Sequence, residues 1–578
     1  MGATGSTSPS TLLEVLEERA ARQPQAVALR FLSDHGDVQT AIGFEELRAR
    51  AARFGRRLAA AGAKPLDRAL LLFPPGAEFL VAWFGCLYAR VVAVPIMPPR
   101  RVGARDASMN ILEDCKPRFA VTSQAFASAL RADVVDRTSH LDLEWMIADD
   151  GAAIETQGPL QPAPRPEDIA FLQYTSGSTS TPKGVVVTHA NLLANLEMIR
   201  LAFATTPRSH FVSWVPLYHD MGLILNALQA IYAGGGCTLM SPASFQHRPH
   251  LWLRAIQRFG AEVSGAPNFA YELCVSRLQP HKLEGLDLSA WKVAFNAAEP
   301  VRADTLRRFA QAFAPYGFDP RAFLPCYGMA EATVLISAAA RGRGAKIREV
   351  SKAALASSCV AERAGAEDGK SIVSCGKAAA GARIAIVDPV AGRRVATGGV
   401  GEIWARGPHV AEGYWGKPAE TRETFGAVIS GEGAAAWLRT GDIGFLDDAG
   451  ELFVAGRIKD VIILRGRNHY PQDIEHSVQS ASGALRPGHG AAFAIEAADG
   501  SEAVVVVQEI ERALRHGADL TVIAADVREA VAEAHELSLH RVVFVPPNAV
   551  PKTTSGKVQR RLTRRLWLEG KLEVLCQF

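Results

Sequence analysis

Long apolar runs are missing from this sequence. The longest, Phe79–Leu87 and Val91–Met97, are separated and broken by Arg90 and Pro95, far short of the roughly 20 residues a membrane span needs. An excess of either charge is missing too. The 63 basic residues are matched by 60 acidic ones, which removes the electrostatic reason to expect nucleic acid or an acidic membrane surface as a partner. Cysteine is sparse: Cys86, Cys115, Cys237, Cys274, Cys326, Cys359, Cys375 and Cys576 are scattered, with no CxxC pair. That spacing argues against a zinc site or a disulfide framework and for buried free thiols in a reducing compartment. Met1–Ser10 has neither a basic start nor an apolar stretch, so no signal peptide is expected and the chain reads as cytoplasmic.

What remains is a soluble, globular composition, 48% hydrophobic over 578 residues. The length exceeds the roughly 250–300 residues at which one core stops growing, so a large composite N-terminal region and a smaller domain are expected. Thr11-Leu12-Leu13-Glu14 has the capping-box pattern, followed by Leu16 and Ala20 at helical spacing. Phe44, Leu47, Ala51, Phe54 and Leu58 form a second stripe that stops at Gly62. Ala69–Phe73 and Val91–Val94 are continuous apolar strands flanking a helical stretch, the sign of a buried parallel sheet. The alternation returns from Phe211 to about Leu324. After Gly456 the texture becomes that of an α+β unit, with strands at Ala492–Ile495, Val504–Val507 and Val542–Val545 around one helix bearing Ile523, Val527 and Val531. The expected architecture is therefore α/β, with domains at 1–458 and 459–578 and a hinge at Lys459 in the polar junction Gly456–Asp460.

The sharpest motif is Tyr174-Thr-Ser-Gly-Ser-Thr-Ser-Thr-Pro-Lys-Gly184. Its small residues allow close backbone approach, its N–H groups and hydroxyls suit an anion, and Lys183 adds a charge. A mononucleotide P-loop would end in Gly-Lys-Ser/Thr; here the order is Pro182-Lys183-Gly184, so that alternative fails. The loop resembles the phosphate-binding signature of the adenylate-forming superfamily, which includes acyl-CoA synthetases, peptide-synthetase adenylation domains and luciferases. The resemblance continues in order through Trp214–Gly222, Asn296–Glu299, Tyr327–Glu331, Gly401–Trp404, Arg439–Asp442, Gly456-Arg457 and Pro551–Lys557.

The resemblance implies doubly wound α/β layers with a β-barrel-like section and a mobile C-terminal lid. It also implies ATP and Mg2+ as cofactors and a carboxylate attacking the α-phosphorus. Two unit charges about 4 Å apart interact by roughly 4 kcal/mol at an effective dielectric near 20, so the meeting of two anions needs cations. By resemblance Lys557 bridges carboxylate and α-phosphate, and Glu331 holds the metal. Thr175, Ser176, Gly177, Ser178, Thr179 and Lys183 cradle the leaving pyrophosphate. Asp442 and Arg457 take the ribose, Tyr327 stacks on adenine beside Gly328 and Met329, and Asn296, Ala297 and Ala298 run along its edge. His219 sits beside the carboxylate at the mouth of the acyl tunnel, which Met221–Leu228 either lines or supports as core. Many members carry Thr where this chain has Ala330, so another donor must serve the α-phosphate.

Within the superfamily the chain is most similar to the fatty acyl-AMP ligases, which pass the acyl group to a holo acyl carrier protein. Three features carry this: Ala330, the run Arg465–Glu475, and the extra segment 338–370 before Val373–Gly376. Ser241–Pro249 and Pro267–Tyr271 are similar as well. The implied role of the insertion is to restrict the C-terminal domain and the coenzyme A route; a plain solvated loop is the alternative. Two other readings remain open at this point: an acyl-CoA synthetase, with coenzyme A as acceptor, and a non-catalytic adenylate-binding protein. Chain-length preference, carrier and oligomeric state are not written in the sequence.

Overall fold

The computed structural model describes residues 9–98, 107–127, 143–148, 160–175, 182–362, 369–396, 398–464, 467–496, 502–512, 519–553 and 556–578. The chain enters through helix Leu12–Arg22, whose N-cap Thr11 accepts from the Glu14 N–H at 3.2 Å. The reciprocal bond of the expected capping box is displaced by one residue: Glu14 accepts from the Ser10 N–H. Helix Phe44–Ala60 buries the expected stripe, and Gly62 ends it in the left-handed region.

Two large sheets form the body. In one, five parallel strands (Arg68–Leu71, Val92–Pro95, Phe119–Thr122, Glu144–Ile147 and Ile169–Thr175) are joined by the antiparallel Lys183–Thr188 and the short Gly413–Tyr414. In the other, Val27–Leu32, Gly236–Leu239, His210–Ser213, Val263–Ala266, Val293–Asn296 and Phe323–Tyr327 run parallel, in that spatial order. The three strands Val263–Ala266, Val293–Asn296 and Phe323–Tyr327 are buried throughout, while Val27–Leu32 towards the edge is half-buried and carries Arg30. A five-stranded antiparallel sheet built on Gly401–Arg406 and Ala436–Leu446 supplies the barrel-like section; its strand path is open.

From Ile462 onward a separate set of buried residues forms its own core. The four-stranded sheet Leu485–Glu496, Glu502–Ile510, Leu539–Val545, Cys576–Gln577 is covered on one face by helices Pro471–Ser480 and Leu520–His535 and on the other by Arg560–Leu568. The sequence reading of one helix here finds three. The strong basic bias of Arg560–Leu568 hides its apolar face, which rests on Leu566 and Trp567.

Other local differences have similar causes. Strand Lys183–Thr188 gives way directly to a helix at His189, because Thr188 and Asn191 form a reciprocal capping box. Met221–Leu228 is a fully buried π-helix, mostly core. Segment 338–370, read as lacking periodicity, contains strand Ile347–Ser351 paired antiparallel with Gly369–Val373 and the short helix Lys352–Ala356; residues 363–368 lie outside the described ones. Six of the eight thiols are buried; Cys359 is exposed and Cys576 intermediate. Among the described residues no helix is long and apolar enough to cross a membrane.

Candidate active site

The site is assembled where parallel strands end, the usual crevice of an open α/β sheet. Four strands of the second sheet deliver residues from their carboxyl ends: His210–Ser213 leads to His219 and Asp220, Val263–Ala266 to Phe269, Val293–Asn296 to Ala297–Glu299, and Phe323–Tyr327 to Gly328–Glu331. In the first sheet Thr175 and Lys183 are register partners at the two ends of the glycine-rich loop. Ser176, Gly177, Ser178 and Thr179 lie outside the described residues. A cleft of about 3650 Å³ receives all of these ends. Small-molecule pockets usually occupy about 300–1,000 Å³, so there is room for a nucleotide, an acyl chain and an acceptor arm together.

Tyr327 and Asp442 meet in the cleft wall, the phenol donating to Asp442 Oδ2 at 2.8 Å. Arg457 Nε donates to Asp442 Oδ1 at 2.8 Å from the neighbouring strand, where the two residues are register partners. Burial and the nearby Asp442 carboxylate raise the Tyr327 pKa, so the phenol remains a donor. The Arg439–Asp442 stretch of strand Ala436–Leu446 is held from behind by buried Glu402, which accepts from Arg439 at 2.9 Å and from the Gly441 N–H at 3.1 Å. Gly328 is obligatory: a Cβ there would stand 1.7 Å from the Val334 carbonyl oxygen. Met329, Ala297 and Ala298 line the cleft beside it. Ala298 has a φ of 71°, a backbone state that persists only where its surroundings enforce it. Asn296 itself is fully buried, its amide directed at Asn268 Oδ1, 3.4 Å away; Ala297 and Ala298 occupy the cleft wall.

Glu331 lies in a one-turn helix, Ala330–Ala332, and is 8% exposed. Burial raises its pKa, partly opposed by the Tyr414 hydroxyl, which donates to Oε1 at 2.8 Å. The ring of the same tyrosine has the Lys183 ammonium over its face, 4.6 Å from the centroid. Among the described residues no three His, Cys, Asp or Glu side chains cluster as a protein-only metal cage. A single hard carboxylate lining the same cleft as the ends of the glycine-rich loop is what Mg2+ takes when substrate phosphates supply its other oxygens. The residues therefore fit that ion.

Lys557 enters from the C-terminal domain, its N–H donating to Thr553 Oγ1 at 3.0 Å beside the bridge pair Lys552–Val558. Burial lowers its pKa and Arg457 lowers it further, while Asp220, Asp442 and Glu299 act in the opposite sense. His219 Nδ1 is 2.6 Å from Asp220 Oδ1. Burial opposes charge on Asp220, but His219, Lys557 and the Met221 N–H outweigh it and hold that carboxylate below its usual range. Glu299 is raised by burial, against the Phe269 N–H donated at 2.6 Å. The sequence reading names His219, Glu331 and Lys557; it includes Asp220 and Glu402 in its motifs without giving them a role, and it does not single out Tyr414. Lys459 sits in the turn Ile458–Asp460 directly after Arg457, its carbonyl accepting from Arg561 at 3.1 Å.

The AMP-binding enzyme model matches residues 16–415, and a model of the Disco-interacting protein 2-like AMP domain matches 459–577. The chain belongs to the AMP-binding enzyme family. Among curated relatives of this AMP-binding enzyme, the medium-chain-fatty-acid–[acyl-carrier-protein] ligase JamA of Moorena producens (strain JHB) is 40% identical, over 98% of this chain and 96% of that protein. The long-chain-fatty-acid–AMP ligase FadD32 of Mycolicibacterium smegmatis is 36% identical, over 97% and 95%. A solved fatty acyl-adenylate ligase from L. pneumophila, in complex with acyl adenylate and pyrophosphate, is 38% identical, with a TM-score of 0.75 over 99% of this chain and 98% of that one. These likenesses place the AMP-binding enzyme in the fatty acyl-AMP ligase branch.

Proposed function

We propose that this enzyme activates a medium- to long-chain fatty acid with ATP and passes the acyl group to the phosphopantetheine thiol of a holo acyl carrier protein. A fatty-acid carboxylate oxygen forms a bond to the α-phosphorus, the bond to pyrophosphate breaks, and acyl-adenylate results. The carrier thiol, having released its proton to solvent, then attacks the acyl carbonyl and AMP leaves. One observation carries the reading: Lys557, from the C-terminal domain, and Glu331, from the body, line one cleft together with the Tyr327–Asp442–Arg457 set. Lys557 would offset the two meeting anions, Thr175 and Lys183 would hold the departing pyrophosphate, and His219 would face the carboxylate. Asp442 and Arg457 would hold the ribose while Ala297, Ala298, Gly328 and Met329 line the base pocket. Mg2+, held by Glu331, would supply neutralisation of phosphate charge.

A carrier protein as acceptor is favoured over coenzyme A by a contact of the insertion. Lys370 pairs with Asp473 and lies 4.7 Å from the Tyr470 ring centroid, and Ser358 Oγ accepts from Asn468 at 3.1 Å. Those contacts tie segment 338–370 to the first helix of the C-terminal domain and limit its rotation. The names of JamA and FadD32 are consistent with both halves of the proposal. Labelled pyrophosphate should exchange into ATP only when fatty acid is present, and transfer should proceed to holo carrier protein and not to coenzyme A. No exchange at any chain length would end the adenylation reading; efficient acyl-CoA formation would end the choice of acceptor.

A further inference from the structure

Tyr414 belongs to none of the motifs that brought the site residues together, yet it touches two of them. It stands on the two-residue strand Gly413–Tyr414, pinned in antiparallel register to Val186 and Val185. Its N–H donates to Thr421 Oγ1 at 3.0 Å, and its ring meets Phe425 edge-on at 5.2 Å. The side chain is 9% exposed, so its position is set by packing. From there the hydroxyl donates to Glu331 Oε1 at 2.8 Å while the ring face lies 4.6 Å from the Lys183 ammonium. No ion pair joins Lys183 to Glu331 among the described residues, although one aromatic side chain separates them.

We propose that Tyr414 is a positioning residue that serves as a neutral spacer between the cation of the phosphate loop and the metal-holding carboxylate. An ammonium and a buried carboxylate left side by side would pair and neutralise each other, and neither would be free for the phosphates or their metal. The phenol satisfies both at once. Its hydroxyl takes one carboxylate oxygen and orients the other toward the cleft, and its ring gives the ammonium a cation–π seat. Hydrogen bonds of this kind to a metal-ligating carboxylate commonly change metal affinity by about 10–100-fold when removed. The inference rests on Glu331 being the metal holder.

The test is Mn2+ binding to the enzyme–ATP complex, read by electron paramagnetic resonance of free Mn2+, with thermal midpoints recorded for each variant. Tyr414→Phe keeps the ring seat and loses only the hydroxyl; its Mn2+ affinity should fall about 10-fold or more with an unchanged midpoint. Tyr414→Leu also frees the ammonium to reach Glu331, and its Mn2+ affinity should fall below that of Tyr414→Phe. Wild-type affinity in Tyr414→Phe overturns the orienting role, and equal affinities in the two variants overturn the spacer role. Glu331→Gln is measured alongside. If it retains wild-type Mn2+ affinity, the assignment of Glu331 as metal holder falls and this inference with it. If it loses affinity while Tyr414→Phe does not, the inference alone falls.

Discussion

Lys557 carries its charge in a place where charge is hard to keep, and that is testable by its removal and by pH. Its interactions matter most as the second anion approaches, so Lys557→Ala should lower pyrophosphate exchange by about 100-fold or more, with ATP affinity measured calorimetrically close to wild type. Because burial and Arg457 lower its pKa, the proton is lost at lower pH than from a free lysine. The adenylation rate should therefore fall on the alkaline side before the ordinary lysine range is reached. Lys552, the bridge partner of Val558, gives a stability prediction. Burial brings it down to about 8 from 10.5, so between those values the unfolded chain binds the extra proton and stability rises with pH. Lys552→Met should raise the thermal midpoint at pH 7, and its advantage over wild type should shrink towards pH 10. At this scale the sequence was informative only where a residue sat inside a recognisable run. Asp220 was read past because His219 beside it carried the resemblance, and Tyr414 because its two contacts come from positions 83 residues before it and across a strand pair.

Elements decide how precisely those side chains are held. The turn after strand Phe323–Tyr327 brings Gly328 against the Val334 carbonyl, a backbone atom that cannot swing aside. Gly328→Ala should cost about 1–3 kcal/mol by overpacking, measured by urea unfolding, with exchange activity lost in proportion to the displaced Tyr327 and Glu331. The hairpin Ile347–Ser351/Gly369–Val373 reaches the C-terminal domain through Lys370. Lys370→Ala should increase amide hydrogen exchange across 467–473 and permit measurable transfer to coenzyme A; unchanged exchange would remove the hairpin from any restraining role. The regular elements were legible where burial enforces a period, as in Phe44–Leu58 or Ile523–Val531. The hairpin was not, because each strand buries only its last two residues and carries Arg348, Glu349, Lys370 and Ser371 before them, leaving neither an apolar run nor a clean alternation. Helix Arg560–Leu568 was missed for a related reason: three of its four arginines serve an ion pair or backbone carbonyls, and the basic run masks its apolar side.

Of the hydrophobic clusters in the molecule, the largest spans both large sheets and the next is confined to residues from Ile462 onward. Polar contacts cross between them: Arg302 donates to the Gln472 carbonyl at 3.1 Å, and the Gln472 amide donates to the Ala455 carbonyl at 2.7 Å; beside them Tyr470 packs in a small apolar cluster with Phe445, Phe453 and Ala455. Two cores joined mainly through a few polar contacts and one small apolar cluster should not melt as one unit. Scanning calorimetry should resolve two transitions, and a non-hydrolysable acyl-adenylate should raise the earlier one more, since it would touch both parts. A single two-state transition without ligand would contradict the division.

Arg457 is both the ribose-side partner of Asp442 and the last residue before the turn at 458–460. On the proposed assignment, sensor and axle would share one backbone position. A sugar seated on that pair would load the crank of the C-terminal domain directly, without a relay of intervening side chains, and release of AMP would unload it in the same stroke.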